Sequence, residues 1–546
     1  MKKRLIGILL TAALVSGVLT GCGKPSGSSQ TSAAPAAGET KAQVETTAQA
    51  AAAAQASETS AQAEAANDEE ITITYAQSSD IVGWDPRNAL STFTAAMMYN
   101  VYSSLVRTNE EFEVVPDLAE SWEAVDDRTY RFHLHQGVKF HNGEDLTAED
   151  IKYTIDTLHE EDKEWNLKAD FTFFNCEVED DYTLLIKTEE PNPSTLRRLT
   201  YVKIIPKDYV EEVGNEEFEK HPVGSGPYKF VKWEKDAVIE LEAFDDYFGG
   251  KREIDHLICK IIPEASGRIA ALEAGEVDLI SNVTPTQLGR LETLGNIAVE
   301  SKPSTRSVYF TFNSFAEGSP VQDLKVRQAM NMAIDNKTIV ASVLDGYGAA
   351  AEQLPIPLYD GYDDSIEGYP YDPDGARALL AEAGYPDGFD LEIGGFFTDL
   401  LNGSDVVQAV AAQLNEVGIR TTIYEEDNNT TRSKYGNKTT YPLTFFSWGG
   451  PYIDMELIMR CVLGTGQRAS AWSTPECDEL LHKLATVPGP DTDQEVYTAI
   501  QQYAFENACV IPMYRAAQTY AYNKDKLEWS PRTDELMVLI DAKPVK

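Results

Sequence analysis

Three histidines in one short stretch are the first residues whose types and spacing could do chemistry. His133 and His135 alternate along a segment with strand-like periodicity, so their imidazoles share one face, and His141 follows soon after. Imidazole nitrogens are frequent zinc ligands, and this spacing could hold a metal ion. The same alternation is typical of an ordinary structural strand. The residues alone therefore leave both a metal site and a structural role open.

Other patterns argue against a catalytic centre. Residues 224–227 spell Gly-Ser-Gly-Pro, which could be mistaken for a phosphate cradle. The stretch lacks the Lys-Ser/Thr pair of a P-loop and precedes a strand rather than a helix, which favours a turn. No Gly-x-Ser-x-Gly nucleophile elbow occurs in the sequence. Carboxylates are so abundant, at 88 Asp and Glu residues, that a pair of them indicates nothing.

Cys22 is the residue with the clearest chemical prediction. It follows a basic start (residues 2–4), an apolar run (residues 5–19) and a small residue, Gly21. This order indicates a secretory signal peptide over residues 1–21, and the run is shorter than the roughly 20 residues that span a bilayer. A Cys at the cleavage position resembles the lipobox of bacterial lipoproteins, which implies acylation of Cys22. We expect an extracytoplasmic protein that is lipid-anchored to the cell membrane; the alternative is an ordinary signal peptide that ends near a Cys.

The other five cysteines form no Cys-x-x-Cys motif, which argues against a zinc or redox site. Exported proteins can form disulfides, and Cys461 and Cys477 are close in sequence. We expect these two to pair and at least one remaining thiol to stay free and buried.

Composition divides the chain into a tether and a folded part. Residues 23–70 contain no aromatic residue and are rich in Ala, Ser, Thr, Gln and Glu, so we expect a disordered tether. The part from about residue 71 to residue 546 is too long for one core and should form two or three domains. A net charge of −42, spread along the chain, argues against nucleic acid or anionic lipid as a partner.

The elements that must position any site alternate between strands and helices. Residues 71–75 and 130–135 alternate in the strand period, and similar short runs occur at 184–187, 238–241, 309–312 and 443–446. Helix starts are marked by Thr147 with Asp150, by Asp323, and by Asp372 before Pro373, and Gly384 marks a helix end. This alternation predicts an α/β fold.

Several sequence blocks follow one another along the chain, at residues 116–122, 136–143, 146–150, 223–228, 271–278, 326–335, 371–385 and 511–514. In this order they resemble family 5 solute-binding proteins, the peptide- and nickel-binding receptors of ABC importers. The resemblance covers nearly all of residues 71–546. Because the histidine stretch lies inside this signature, the resemblance implies a structural role for it, with no metal site and no cofactor.

The resemblance also implies a type II periplasmic-binding-protein fold, with two lobes, a two-strand hinge and an extra domain in lobe one. Projected onto this chain, lobe one takes residues 71–305, with an inserted domain at about 99–219, and lobe two takes residues 306–514. Residues 515–546 return to lobe one. The chain should cross between lobes near Ser307 and again near Tyr514.

The ligand site implied by the resemblance lies at a Trp-Gly loop, residues 446–454 here. We expect Trp448, Gly449, Gly450, Tyr452 and Asp454 to border a cleft between the lobes, with Phe396 and Phe397 at a comparable edge. Peptide-binding members usually place an Asp three residues after this Trp to pair with the α-ammonium. Pro451 stands there instead. Asp454 could serve a cation from a shifted position, although an N-cap role is the competing expectation. Phe396 and Phe397 could equally belong to the core.

The resemblance also implies a function in transport. We expect a non-enzymatic, monomeric receptor that captures an oligopeptide or peptide-like cation and delivers it to an ABC permease with its ATPase subunits. The first alternative is a nickel or metallophore chelate bound on the same fold. The second is a secreted, lipid-anchored hydrolase, which would require a nucleophile and a base.

Overall fold

The computed structural model describes residues 70–546 apart from residues 90, 162, 164, 172–173, 398–399, 450–452 and 488. The predicted signal peptide, Cys22 and nearly all of the predicted tether therefore lie outside the described residues. Gly450, Pro451 and Tyr452, which the sequence places at the ligand site, also lie outside them. No helix within the described ranges is long and apolar enough to cross a membrane.

The described residues form nineteen strands. In chain order they are β1 (Thr72–Gln77), β2 (Val106–Thr108), β3 (Val114–Pro116), β4 (Ala119–Asp126), β5 (Thr129–Leu134), β6 (Phe174–Asp180), β7 (Thr183–Thr188), β8 (Tyr228–Glu234), β9 (Val238–Ala243), β10 (His256–Ile261), β11 (Leu279–Ser281), β12 (Ile297–Phe312), β13 (Ala349–Ala350), β14 (Phe389–Gly395), β15 (Ile419–Glu425), β16 (Leu443–Trp448), β17 (Val510–Asn523), β18 (Leu527–Glu528) and β19 (Lys543–Pro544).

The same residues form sixteen α-helices. They are α1 (Thr92–Val101), α2 (Ala148–Leu158), α3 (Lys168–Phe171), α4 (Thr195–Leu199), α5 (Lys207–Val213), α6 (Asn215–Lys220), α7 (Ala265–Glu273), α8 (Pro285–Glu292), α9 (Leu324–Met332), α10 (Asn336–Ser342), α11 (Pro373–Glu382), α12 (Gly403–Glu416), α13 (Asn428–Asn437), α14 (Met455–Leu463), α15 (Pro475–Thr486) and α16 (Pro490–Glu506).

The helix starts follow the capping signals in the sequence. Thr147 and Asp150 form a capping box at the start of α2. The Asp372 side chain accepts a hydrogen bond from the Gly375 backbone N–H at the start of α11, where Pro373 is the first helical residue. These bonds satisfy backbone donors that the first helical turn leaves without partners. The predictions at these starts are confirmed.

One eleven-stranded sheet joins the two halves of the molecule. Its strand order is β15-β14-β16-β12-β17-β11-β1-β10-β9-β8, with β13 paired to β17. The two long strands β12 and β17 pair with each other at its centre, and their register shifts between Pro303 and Ser307. These two strands are the two-strand hinge of the fold, since each runs from one half of the sheet into the other. A separate four-stranded sheet, β4-β5-β7-β6, belongs to the extra domain of lobe one.

Separate hydrophobic cores support the two halves of the sheet and the extra domain. One core packs around β12, β14, β16 and α12, a second around β1, β9, β10 and α1, and a third fills the four-stranded sheet against α2. Each half therefore buries apolar surface of its own.

The Cys461–Cys477 disulfide prediction is wrong for this structure. Both side chains are buried, but Cys477 is a thiol whose Sγ lies 3.8 Å from the carbonyl oxygen of Leu463. The reason is the packing of α15 on the end of α14, which directs this thiol to a backbone carbonyl rather than toward Cys461. Burial raises the pKa of the Cys477 thiol to about 12.

His141, the last histidine of the stretch, supports a turn. His141 Nε2 lies 2.9 Å from the carbonyl oxygen of Gly226, and the Gly224 backbone N–H donates to His141 Nδ1 at 3.3 Å. Both glycines are required because a Cβ at Gly224 would lie 2.1 Å from the carbonyl oxygen of Val101, and one at Gly226 2.5 Å from its carbonyl carbon. The Gly-Ser-Gly-Pro stretch is therefore a turn packed against the end of α1.

Candidate ligand-binding site

A cavity of about 200 Å³ lies between the two halves of the large sheet. Its walls come from the ends of β1, β11, β14 and β16, from the N-termini of α1 and α13, and from the hinge strands. Its lining includes Gln77, Ser91, Thr92, Phe93, Asn282, Arg306, Phe396, Asn428, Arg432, Phe446, Ser447, Trp448, Gly449, Arg468, Gln518, Tyr520 and Glu535. Both halves of the fold contribute.

The sheet topology explains why these residues converge. Strand β14 pairs in parallel with β15 and β16, and β1 pairs in parallel with β10 and β11. Gln77 ends β1, Asn282 directly follows β11, Phe396 directly follows β14 and Trp448 ends β16. The carboxyl ends of parallel strands meet at one edge of a sheet, and ligands of open α/β sheets bind in the crevice outside that edge.

Trp448 occupies the position that the sequence predicts. It is paired in register with Ser307 of the hinge strand β12, and its half-buried ring lies on the cavity wall. The Arg468 guanidinium carbon lies 5.7 Å from the centroid of the Trp448 ring, within the range of a cation–π contact. Trp448 thus presents a flat apolar surface beside a cation.

Gly449 lines the cavity and leaves room for Arg306. A Cβ at Gly449 would lie 2.8 Å from the Arg306 Cβ, closer than real side chains approach. The Arg306 Nε lies 3.0 Å from each carboxylate oxygen of Glu535, and Arg306 Nη1 donates to Ser447 Oγ at 3.1 Å. Arg306 therefore fixes the hinge strand, β16 and the C-terminal segment to one another.

The two phenylalanines that follow β14 separate into different environments. Phe396 is half-buried and lines the cavity. Phe397 is 1% exposed and packs edge-on against Phe445, with ring centroids 5.7 Å apart. Successive residues of an extended segment point to opposite faces, so only one of the two can reach the cavity. Phe397 is therefore absent from this cavity, although it lines a second cavity of about 550 Å³ that both halves of the fold border, so its role in ligand binding stays a prediction.

The Asp454 carboxylate binds Arg198 and the start of α14 instead of lining the cavity. Its carboxylate accepts bonds from Arg198 Nε and Nη2 at 3.2 and 3.1 Å, and from the Leu457 backbone N–H at 3.3 Å. It is 5% exposed and is absent from the cavity lining. Asp454 is an N-cap of α14 and an ion-pair partner, so the prediction that it meets a ligand cation is wrong in this conformation.

Sequence reasoning missed the charged residues of the cavity. These residues are Arg306, Arg432, Arg468 and Glu535. The first and the last are 229 positions apart in the sequence, and no regular spacing among the four indicates a common site. Arg306 borders the predicted crossing at Ser307, which was the one signal in the sequence that could have indicated it. The other three converge only through the fold.

More than half of the chain, residues 113–470, matches the family described as bacterial extracellular solute-binding proteins, family 5 Middle. The chain belongs to this family. Among its relatives, heme-binding protein A of Haemophilus influenzae is 28% identical over 82% of this chain and 88% of its own length. The dipeptide-binding protein of Escherichia coli is 27% identical over 81% of this chain and 89% of its own length.

A solved structure agrees with the fold. The periplasmic binding protein DppA from Helicobacter pylori, in complex with the peptide STSA, superposes with a TM-score of 0.78 and 23% identity. The match covers 87% of this chain and 98% of that one. The fold is the type II periplasmic-binding-protein fold, as the sequence predicts.

Proposed function

We propose that the protein is an extracytoplasmic receptor that captures a peptide between two lobes and delivers it to an ABC permease. The cavity at the carboxyl ends of strands from both halves carries this proposal. A site built from two lobes across a two-strand hinge gains contacts when the lobes close, so a ligand stabilises the closed state by its differential affinity. Dipeptide binding by relatives, and a peptide in the superposed structure, support a peptide as the ligand.

The lobes and the anchor belong to the same proposal. We assign residues 71–305 and 515–546 to lobe one and residues 306–514 to lobe two. We further propose that Cys22 carries the lipid anchor and that the protein acts as a monomer, since one chain supplies both cavity walls. The ATP hydrolysis that drives transport would belong to partner subunits.

Titration calorimetry of the exported protein, purified in detergent, tests the receptor function. A panel of di- and tripeptides should yield saturable binding at one site, and each peptide should be recovered intact by mass spectrometry after long incubation. Cleaved peptides would support the hydrolase alternative instead. Saturable binding of Ni(II)–histidine with no peptide binding would support the metal-chelate alternative.

A further inference from the structure

Two segments of the chain cross side by side between the extra domain and the core around β1 and α1. The first passes from that core into the core of the four-stranded sheet over residues 102–105. The second returns over residues 203–205. Ser104 and Lys203 form an antiparallel β-bridge between them. We call these two segments the joint, because they are the place where the extra domain is held against the rest of its lobe.

Lys203 is a buried cation at this joint, and its near partners are uncharged. It is 5% exposed, and its Nζ donates to Ser104 Oγ at 2.8 Å and to the carbonyl oxygen of Thr200 at 3.2 Å. Nζ also lies 3.4 Å from the centroid of the Tyr99 ring on α1, a cation–π contact. Among the residues that the structure describes, no carboxylate lies within ion-pair distance of this ammonium. A lysine is almost never this buried without a charged partner.

Only part of the cost of this burial is offset by neighbouring charges. Asp117, half-buried just before β4, attracts the ammonium, while Arg532 of the C-terminal segment repels it. The Asp117 Oδ2 accepts the Ser104 backbone N–H at 2.9 Å. Burial is the largest influence and lowers the pKa of Lys203 from about 10.5 to about 7; Asp117 raises this pKa and Arg532 lowers it.

Loss of the proton from Lys203 leaves both hydrogen bonds of the joint in place. A neutral amine keeps two N–H groups, which are enough for the hydroxyl of Ser104 and the carbonyl oxygen of Thr200. The charged amine has a third N–H group and the Tyr99 ring beside it, but it must stay out of water. When the joint opens locally, the amine regains water and takes up a proton. Protonation therefore favours the open joint.

The joint also affects what the extra domain presents to the rest of the molecule. Thr200, whose carbonyl oxygen Lys203 binds, directly precedes Tyr201, which lines the ligand cavity. Arg198, two residues earlier, binds Asp454 at the start of α14. A closed joint therefore holds one wall of the cavity and one contact with the other half of the fold.

We propose that Lys203 is a pH-sensitive contact that holds the extra domain more firmly when its amine is neutral than when it is charged. Between about pH 7 and about pH 10.5, the open joint binds a proton that the closed joint does not. The closed joint therefore gains stability as the pH rises through this window, and it gains none from Lys203 below it. This contact acts in the same way whether the ligand is a peptide or a metal chelate.

Hydrogen exchange with mass spectrometry, on the exported protein in detergent from about pH 6 to about pH 10, tests the proposal. Exchange is corrected with the same peptides from urea-unfolded protein. The protection of residues 199–206 should be level below about pH 7 and then rise by up to about tenfold per pH unit, the effect of one proton. In Lys203→Met, which keeps an unbranched side chain without the amine, protection should stay level. Lys207→Met, at a partly exposed ion pair with Glu149, should rise as the parent does.

A second variant tests the contact with the lysine in place, in case Lys203→Met does not fold. Asp117→Asn keeps an oxygen for the Ser104 N–H but removes the charge that attracts the ammonium, so the rise in protection should begin at lower pH. An unmoved profile in Asp117→Asn would overturn the proposal. So would a level profile in the parent, or a rise in folded Lys203→Met as steep as that of the parent. A level profile in Lys207→Met would assign the pH dependence to that lysine instead.

Discussion

The role of a single aromatic residue can be tested at Trp448. Trp448→Ala removes a flat surface of the cavity, the contact with Arg468 and the packing of this ring on the edge of one hydrophobic core. Truncation of a central aromatic anchor costs about 2 kcal/mol or more of binding, so affinity for the ligand should fall roughly 30-fold. Calorimetry measures this change.

Trp122 provides the matched control for this substitution. It is also half-buried, but it lies on β4 in the four-stranded sheet. Trp122→Ala should leave the affinity for the ligand unchanged. It should lower the thermal midpoint by about as much as Trp448→Ala does. Equal affinity of the Trp448→Ala protein and the parent would place the ligand outside this cavity.

A pH dependence should arise at His141. Burial lowers the pKa of His141 to about 4 from about 6.5, and its Nδ1 must be unprotonated to accept the Gly224 N–H. Between these pH values the unfolded chain binds a proton that the folded protein does not, so stability rises with pH across this window. The change is at most about 3 kcal/mol and is complete below pH 4.

Thermal midpoints measured from pH 4 to pH 7 check this prediction. His141→Gln should be less stable at pH 7 but should show a shallower loss on acidification. His482→Gln, at an exposed position on α15, should keep the slope of the parent. A slope in His141→Gln as steep as that of the parent would assign the acid sensitivity to other groups.

At the scale of elements, a buried ion-pair cluster joins the extra domain to α14. Arg198 of α4 contacts Asp454 at 3.1 Å and Glu456 at 2.5 Å, and all three side chains are nearly fully buried. Arg198→Met leaves two buried carboxylates without this partner, which should cost about 3–5 kcal/mol. Because α4 and α14 lie in different lobes of the proposed division, the loss should also increase the open population.

Urea unfolding and small-angle scattering measure the two effects of Arg198→Met. The variant should unfold at lower urea and show a larger radius of gyration without ligand. Arg420→Met, which breaks the exposed pair with Asp390, should change stability by less than about 1 kcal/mol. Adding Asp454→Asn and Glu456→Gln to Arg198→Met should restore much of the stability. A triple variant as unstable as the single one would contradict the electrostatic cause.

The elements were far more predictable from sequence than the site. Strand period and capping signals are local, so the positions around β5, β9, α2 and α11 could be predicted within a residue or two. The thiol of Cys477 and the carboxylate of Asp454 could not, because the partners that decide their roles, Leu463 and Arg198, depend on how helices pack. The place of Trp448 could be predicted through the family resemblance of residues 446–454, and in the structure it ends β16. The arginines of the cavity come from elements that only the complete fold brings together.

At the scale of the whole molecule, we expect the exported protein to depend on Cys22 for its attachment to the membrane and on no residue of the segment 23–69 for its folding. Cys22→Ala removes the acyl attachment site, so the protein should become soluble or keep its signal peptide. Membrane fractionation with metabolic fatty-acid labelling checks this outcome.

Deletion of residues 24–66 should keep labelling and membrane association intact. It should also leave the thermal midpoint and the ligand affinity of the parent unchanged, since a segment without aromatic residues has little to pack. A disordered chain of this length would span roughly 40 Å on average, from about 5–6 Å multiplied by the square root of the residue number, so we expect its deletion to affect delivery to the permease rather than capture. A lowered midpoint in the deletion variant would show that this segment packs on the folded part, and full membrane retention of a processed Cys22→Ala protein would contradict the anchor.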